Sequence, residues 1–250
     1  MNTYTPKTLR KVPEIIALFW VVKLLTTAMG ESTTDFFVYK YNPYAVVAIG
    51  AVGLAITLAI QFSVKRYIAW VYWSAVTMVA VFGTMAADAL HIQLKVPYLI
   101  STIFFAVVLM AVFTLWYKTE GTLSIHTINT RRRELFYWAA VIATFALGTA
   151  SGDLTAITAG LGFFSAGLLF IGLIAIPAIG YWLFGFNEIF SFWFAYIITR
   201  PLGASFADWM GKSRTVGSLG WGDGSVAIVL TLVIIVLVSY LSITRCDIKS

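Results

Sequence analysis

Residues 137–153 read YWAAVIATFALGTASGD, an apolar run that opens on an aromatic–Trp pair, carries Gly at its middle and ends on Asp. The same skeleton occurs at Phe19, Trp20, Gly30 and Asp35, at Tyr72, Trp73, Gly83 and Asp88, and at Phe192, Trp193, Gly203 and Asp208, beside Tyr137, Trp138, Gly148 and Asp153. In every copy nine residues separate Trp from Gly and four separate Gly from Asp. Invariant spacing at four places is the mark of internal duplication, and such a period sets the architecture.

Outward from each motif lies a second apolar run that lacks it. A helix of about 20 apolar residues crosses a bilayer, and the runs predict spans at 13–36, 43–64, 67–90, 97–117, 134–154, 158–183, 187–210 and 225–245. The expected fold is therefore all-α: a polytopic membrane protein with eight transmembrane helices in one domain, residues 1–250. Its four two-helix repeats fall at about 13–64, 67–117, 134–183 and 187–245. Composition agrees, because a chain of 250 residues that is 60% hydrophobic and 11% charged cannot hide its apolar surface in a water-soluble core. In the sixth span Gly160, Gly162, Gly167, Gly172, Pro177 and Gly180 suit close packing and a kink, or mark a break.

Two spans return the chain to its starting side, so the units are parallel repeats and all four Asp face one surface. Eleven basic residues (Lys7, Arg10, Lys11, Lys65, Arg66, Lys118, Arg131, Arg132, Arg133, Arg245 and Lys249) fall on one side, against Lys40, Lys95, Lys212 and Arg214 on the other. The positive-inside rule then puts both termini in the cytoplasm. The first run is expected to belong to the fold rather than to a cleaved leader, since Lys23 and Glu31 interrupt it and it repeats downstream. Placement of charge explains the net +6 without a nucleic-acid partner. The single Cys246 forms no disulfide framework or thiolate site.

The motif predicts a location for each of its members. Trp20, Trp73, Trp138 and Trp193 are expected in the cytoplasmic aromatic belt, with indole N–H groups wet. Gly30, Gly83, Gly148 and Gly203 are expected to admit a neighbouring backbone. Fifteen residues of helix advance about 22 Å, which sets Asp35, Asp88, Asp153 and Asp208 toward the outer surface. A carboxylate at a helix C-terminus opposes the dipole, so mere capping is a poor account of four of them.

Stepping by four from the third residue after each Trp gives Lys23, Thr27, Glu31, Asp35; Val76, Ala80, Thr84, Asp88; Val141, Phe145, Thr149, Asp153; and Tyr196, Arg200, Ala204, Asp208. Each step turns a straight helix by about 40°, so only local clusters are predicted. Charges at Lys23, Glu31 and Arg200 within spans point to a bundle interior or a watery cavity. Carboxylates with the hydroxyls of Thr26, Thr27, Ser32, Thr33, Thr34, Thr84, Thr144, Thr149, Ser151, Thr199 and Ser205 suit hard cations or a proton relay. Pro201 removes a backbone hydrogen bond beside Arg200, which predicts a local break or kink there. His91 and His126 fall in loops on opposite sides, and no phosphate cradle, zinc-hydrolase motif or nucleophile elbow is present, so an enzyme is not expected.

On this four-fold motif, with Phe136–Asp153 and Thr199–Asp208 as typical segments, the chain resembles a bacterial family of membrane proteins made of four tandem two-helix repeats of unknown function. Members are often labelled uncharacterised membrane-anchored proteins. The resemblance covers essentially the whole chain; it implies a bacterial inner membrane location and brings no activity with it. From the residues, the expectation is a transporter or channel for a small ion, most plausibly a divalent metal cation or protons, between the odd-numbered helices. Asp35, Asp88, Asp153 and Asp208 would be ligands, Glu31 an extra carboxylate, and Lys23 and Arg200 internal counter-charges. The reverse assignment, with Lys23 and Arg200 holding an anionic substrate, stays open. So does a non-transporting scaffold or sensor subunit, as a single chain or a homo-oligomer. No resident cofactor is called for, and a metal would be substrate.

Overall fold

The computed structural model describes residues 10–248, apart from the side chains of Ile92 and Gln93. Lys7 and Lys249 of the basic tally lie outside this range. Among the described residues the chain forms eight long helices: α1 (Ala17–Lys40), α2 (Pro43–Ser63), α3 (Ala69–Asp88), α4 (Tyr98–Glu120), α5 (Arg131–Asp153), α6 (Gly162–Phe184), α7 (Glu188–Gly211) and α8 (Asp223–Thr244). Asn42, Thr130 and Asn187 cap α2, α5 and α7 by accepting from backbone N–H groups of the first turn. Gly121 and Gly185, at φ +71° and +65°, end α4 and α6 in the left-handed conformation. Wider π turns, Ala89–Gln93 and Leu154–Thr158, directly follow Asp88 and Asp153.

Three local expectations change. Helix α1 begins at Ala17 rather than at Pro13, because residues 10–16 run extended across one end of the molecule. Helix α6 begins at Gly162 rather than at 158, because Gly160 and Gly162 take φ of +71° and +72° and interrupt the sixth span there, and it is continuous through Pro177; α7 is continuous through Pro201, so no break forms at either proline. Pro201 packs over the Cα positions of Gly148 and Gly152 on α5.

Helices α1, α3, α5 and α7 form a closed ring, each touching the next and α7 returning to α1. The even helices lie outside it. Each packs principally on the odd helix of the following unit, α2 on α3, α4 on α5 and α6 on α7, and α8 closes the circle on α1. A repeat therefore does not fold back on itself; it grips its successor.

Six helices, α2 to α6 and α8, are long and apolar enough to cross a membrane. The share of their most apolar stretch that is buried is 56% in α3 and 67% in α5 but no more than 28% in the even helices. Ile49, Val107, Met110, Ile228 and Val236 point outward from that outer layer. Apolar surface on this scale is stable against lipid and not against water.

The glycines set the ring's diameter. A Cβ on Gly30 would lie 2.6 Å from Ala80 Cβ and 2.9 Å from its carbonyl carbon, and one on Gly83 would lie 2.7 Å from Phe145 Cβ. Gly148 receives the stem of Arg200, and Gly203 receives Thr27. Ala80, Phe145, Arg200 and Thr27 each stand three residues before the Gly of their own helix. One contact is thus repeated around the ring, in the small-residue manner by which helices associate without a hydrophobic driving force.

Gly30→Ala is expected to destabilise the protein by about 1–3 kcal/mol, since the neighbour it meets is backbone. Gly172→Ala, which meets nothing within 4 Å, should be neutral or slightly stabilising because Ala favours helix. Thermal unfolding of the two variants in detergent checks the contrast.

Candidate functional site

The four stripes line the ring's interior as stacked layers. All of Lys23, Val76, Val141 and Tyr196 are fully buried, as are Ala80, Phe145 and Arg200 one turn on. Next come Glu31, Thr84, Thr149 and Ala204, and last the four Asp. The 40° drift per step does not carry the stripe out of the interior, because each inner helix has protein neighbours on several sides.

At the motif's opening end, Phe19, Tyr72, Trp73, Tyr137, Trp138, Phe192 and Trp193 are buried together, and ring contacts link Phe19 to Trp73 and to Phe192 and Tyr137 to Trp193. This corrects the aromatic-belt expectation. Trp73, Trp138 and Trp193 form a core layer, and Trp20 alone is half-buried. The parallel ring brings all four pairs to one height, where their large faces close the axis. Trp193 donates its indole N–H to Leu123 O at 3.0 Å.

Residues 10–16 cover this layer. The backbone bonds Lys11 N to Ile128 O, Tyr67 N to Arg10 O and Glu14 N to Asp247 O, at 3.2, 2.8 and 2.9 Å, tie the strap to three other segments. Lys11 reaches Glu134 at 2.5 Å, and Gln61 donates to the same carboxylate at 2.9 Å. Sequence reading missed this buried network, since Lys11 stands in a basic tail and Glu134 at a helix start.

Mid-axis, Arg200 joins the ring. Its Nη2 faces Glu31 Oε2 at 2.6 Å, Thr149 Oγ1 at 2.7 Å and Thr84 Oγ1. Thr84 and Thr149 donate their own protons to Ala80 O and Phe145 O, leaving lone pairs for the guanidinium. One nitrogen of α7 is thereby held by α1, α3 and α5. Below it Lys23 lies with Nζ 4.2 Å from the ring centres of both Phe145 and Tyr196.

Beyond Arg200 the carboxylates gather, though not as the equal set of four expected from the motif. Ligand oxygens of Glu31, Asp153 and Asp208 lie within 4.8 Å of one another. Asp35 instead pairs with Lys212, which also stands 3.6 Å from Asp208. Asp88 is half-buried nearby, close enough to Glu31, Asp35 and Asp153 for their charges to bear on it. Burial pulls the Lys212 ammonium down, but Asp208 and Asp35 more than reverse this and hold it above its ordinary range. Lys212 was read as a loop residue; its place four after Asp208 was the available signal.

Oxygens on opposite sides of a calcium-sized ion lie about 4.6–5.2 Å apart, and across magnesium about 4.0–4.2 Å. Three oxygens spread evenly around a calcium-sized ion lie about 4.0–4.5 Å from one another, so the Glu31, Asp153 and Asp208 oxygens, all within 4.8 Å, could hold a hard divalent cation after a small closure.

The family described as Repeat of Unknown Function (DUF347) matches four times, at residues 18–67, 71–122, 136–185 and 191–246. The chain belongs to this family. No curated protein and no solved structure matches it. The DUF347 repeat boundaries agree with the motif: every match holds one copy of the spaced aromatic–Trp, Gly and Asp pattern in its first helix.

Glu31→Gln, which strands the buried Arg200 charge, is expected to cost about 3–5 kcal/mol of stability. Arg200→Met placed on top of it should recover most of the loss, because the double variant buries no unpaired charge. A double-mutant cycle by denaturation in detergent reads both.

Proposed function

We propose that this protein is a membrane transporter for a small ion, a divalent metal cation or protons, with its site between the odd-numbered helices. The observation that carries the reading is the convergence of Glu31, Asp153 and Asp208 inside a closed helical ring, with Asp35 and Asp88 beside them. Five carboxylates there answer to two cations, Arg200 and Lys212. That excess attracts a cation, and intramembrane carboxylates of this kind mark ion pathways.

In this reading all eight helices cross the bilayer of a bacterial inner membrane with both termini cytoplasmic, and the Asp layer opens on the outer side. The aromatic layer and the strap close the cytoplasmic side, which favours alternating access over an open channel. A cation arriving at Asp153 and Asp208 draws Glu31 from Arg200, and Arg200 stays held by Thr84 and Thr149. A scaffold or sensor subunit is the rival, favoured by the way Arg200 ties three helices to a fourth.

In proteoliposomes loaded with a metal- or pH-sensitive dye, the wild type is expected to move Mn²⁺, Ca²⁺ or protons at least tenfold above empty vesicles. Asp153→Asn and Asp208→Asn should return flux to background with the fold retained. Absence of flux for all three ions from a folded wild type rejects transport in favour of the scaffold. The orientation has its own check: the single, exposed Cys246 should react with a membrane-impermeant maleimide in inside-out vesicles and stay unlabelled in right-side-out ones.

A further inference from the structure

The axis holds two fully buried cations, Lys23 and Arg200, and they differ in how they are satisfied. Arg200 has Glu31 on Nη2, yet its Nε and Nη1 reach no acceptor among the described residues. Lys23 Nζ reaches none at all. Burial makes an unbalanced charge on Lys23 costly, and the like charge of Arg200 adds to that cost. Both cations flank one side chain, with Lys23 Nζ 4.2 Å and Arg200 Cζ 5.5 Å from the centre of the Phe145 ring.

Buried donors are almost always matched by acceptors, and a buried charge is paired. Here the N–H groups of two cations sit at neighbouring levels of the axis, and one carboxylate, Glu31 on the far side of Arg200 from Lys23, serves the two. The faces of Phe145 and Tyr196 favour the charged ammonium and supply it with no hydrogen-bond acceptor. What the pair lacks is one negative charge that accepts several hydrogen bonds.

We propose that Lys23 and Arg200 together bind a small monovalent anion of the halide or nitrate class on the axis of the ring, beneath the carboxylate group. One such charge balances Lys23 and gives the idle N–H groups an acceptor. A doubly charged oxyanion such as sulfate overbalances it. The site is separate from the Glu31, Asp153 and Asp208 group and does not depend on that group carrying a cation.

The experiment uses the full chain purified in a halide-free detergent buffer. Chloride, bromide or nitrate is titrated against gluconate at constant ionic strength, and the melting temperature is followed. Saturable stabilisation by the three small anions, with sulfate inactive, is expected, and Lys23→Met should weaken the apparent affinity at least tenfold. Bromide soaked into wild-type crystals should give an anomalous peak between Lys23 and Arg200, a readout that holds if the variant fails to fold. Equal melting in every salt, an unchanged response in Lys23→Met, or no bromide peak at that position overturns the assignment. Cation flux in proteoliposomes is measured apart from this, so loss of one reading leaves the other standing.

Discussion

The close approach of the four inner helices at Gly30, Gly83, Gly148 and Gly203 is the constraint from which the rest of the architecture follows. Each glycine lets in a residue from its neighbour, and the last neighbour is the first helix again. A circle of identical contacts brings equal heights of the four helices together, so the aromatic pairs meet at one level and the acidic residues near another. Widening one contact by a methyl group disturbs a ring whose members have no slack on either side. The even helices then wedge against the outside of the ring, each holding the unit after its own.

Within that symmetric frame the side chains are not symmetric. The layer that reads Thr27, Ala80 and Phe145 on three helices reads Arg200 on the fourth, and the next layer reads Glu31, Thr84, Thr149 and Ala204. Duplication supplied four equivalent places, and the differences between them make the chemistry. A single guanidinium on the axis meets a carboxylate from one helix and hydroxyls from two others. Four copies of Arg at that height would repel one another, and four copies of Glu would leave every one unpaired; one of each, with hydroxyls between, pairs the carboxylate and Nη2 and leaves Nε and Nη1 of Arg200 without an acceptor among the described residues.

Burial also separates the two ends of the axis by character. One end is sealed by tilted, packed aromatic rings and a strap of backbone bonded to three segments. The other holds the carboxylates of Glu31, Asp153 and Asp208, with Lys212 tying down Asp35.

The repeat, the helix count and the residues of the inner stripe were legible in the chain, because invariant spacing and apolar run length are properties of sequence alone. So was the presence of costly charge at Lys23, Glu31 and Arg200. The arrangement of neighbours was not. A helix in lipid with protein on several sides shows no single polar face, so periodicity does not say which helix stands beside which, and the Trp residues read equally well as belt or core. Only the closed ring put them inside, drew Asp35 away to Lys212 and left Glu31 with Asp153 and Asp208. Spacing determines the height of a side chain along its helix; its direction and its partners depend on the surfaces packed around it, and those belong to the assembled bundle.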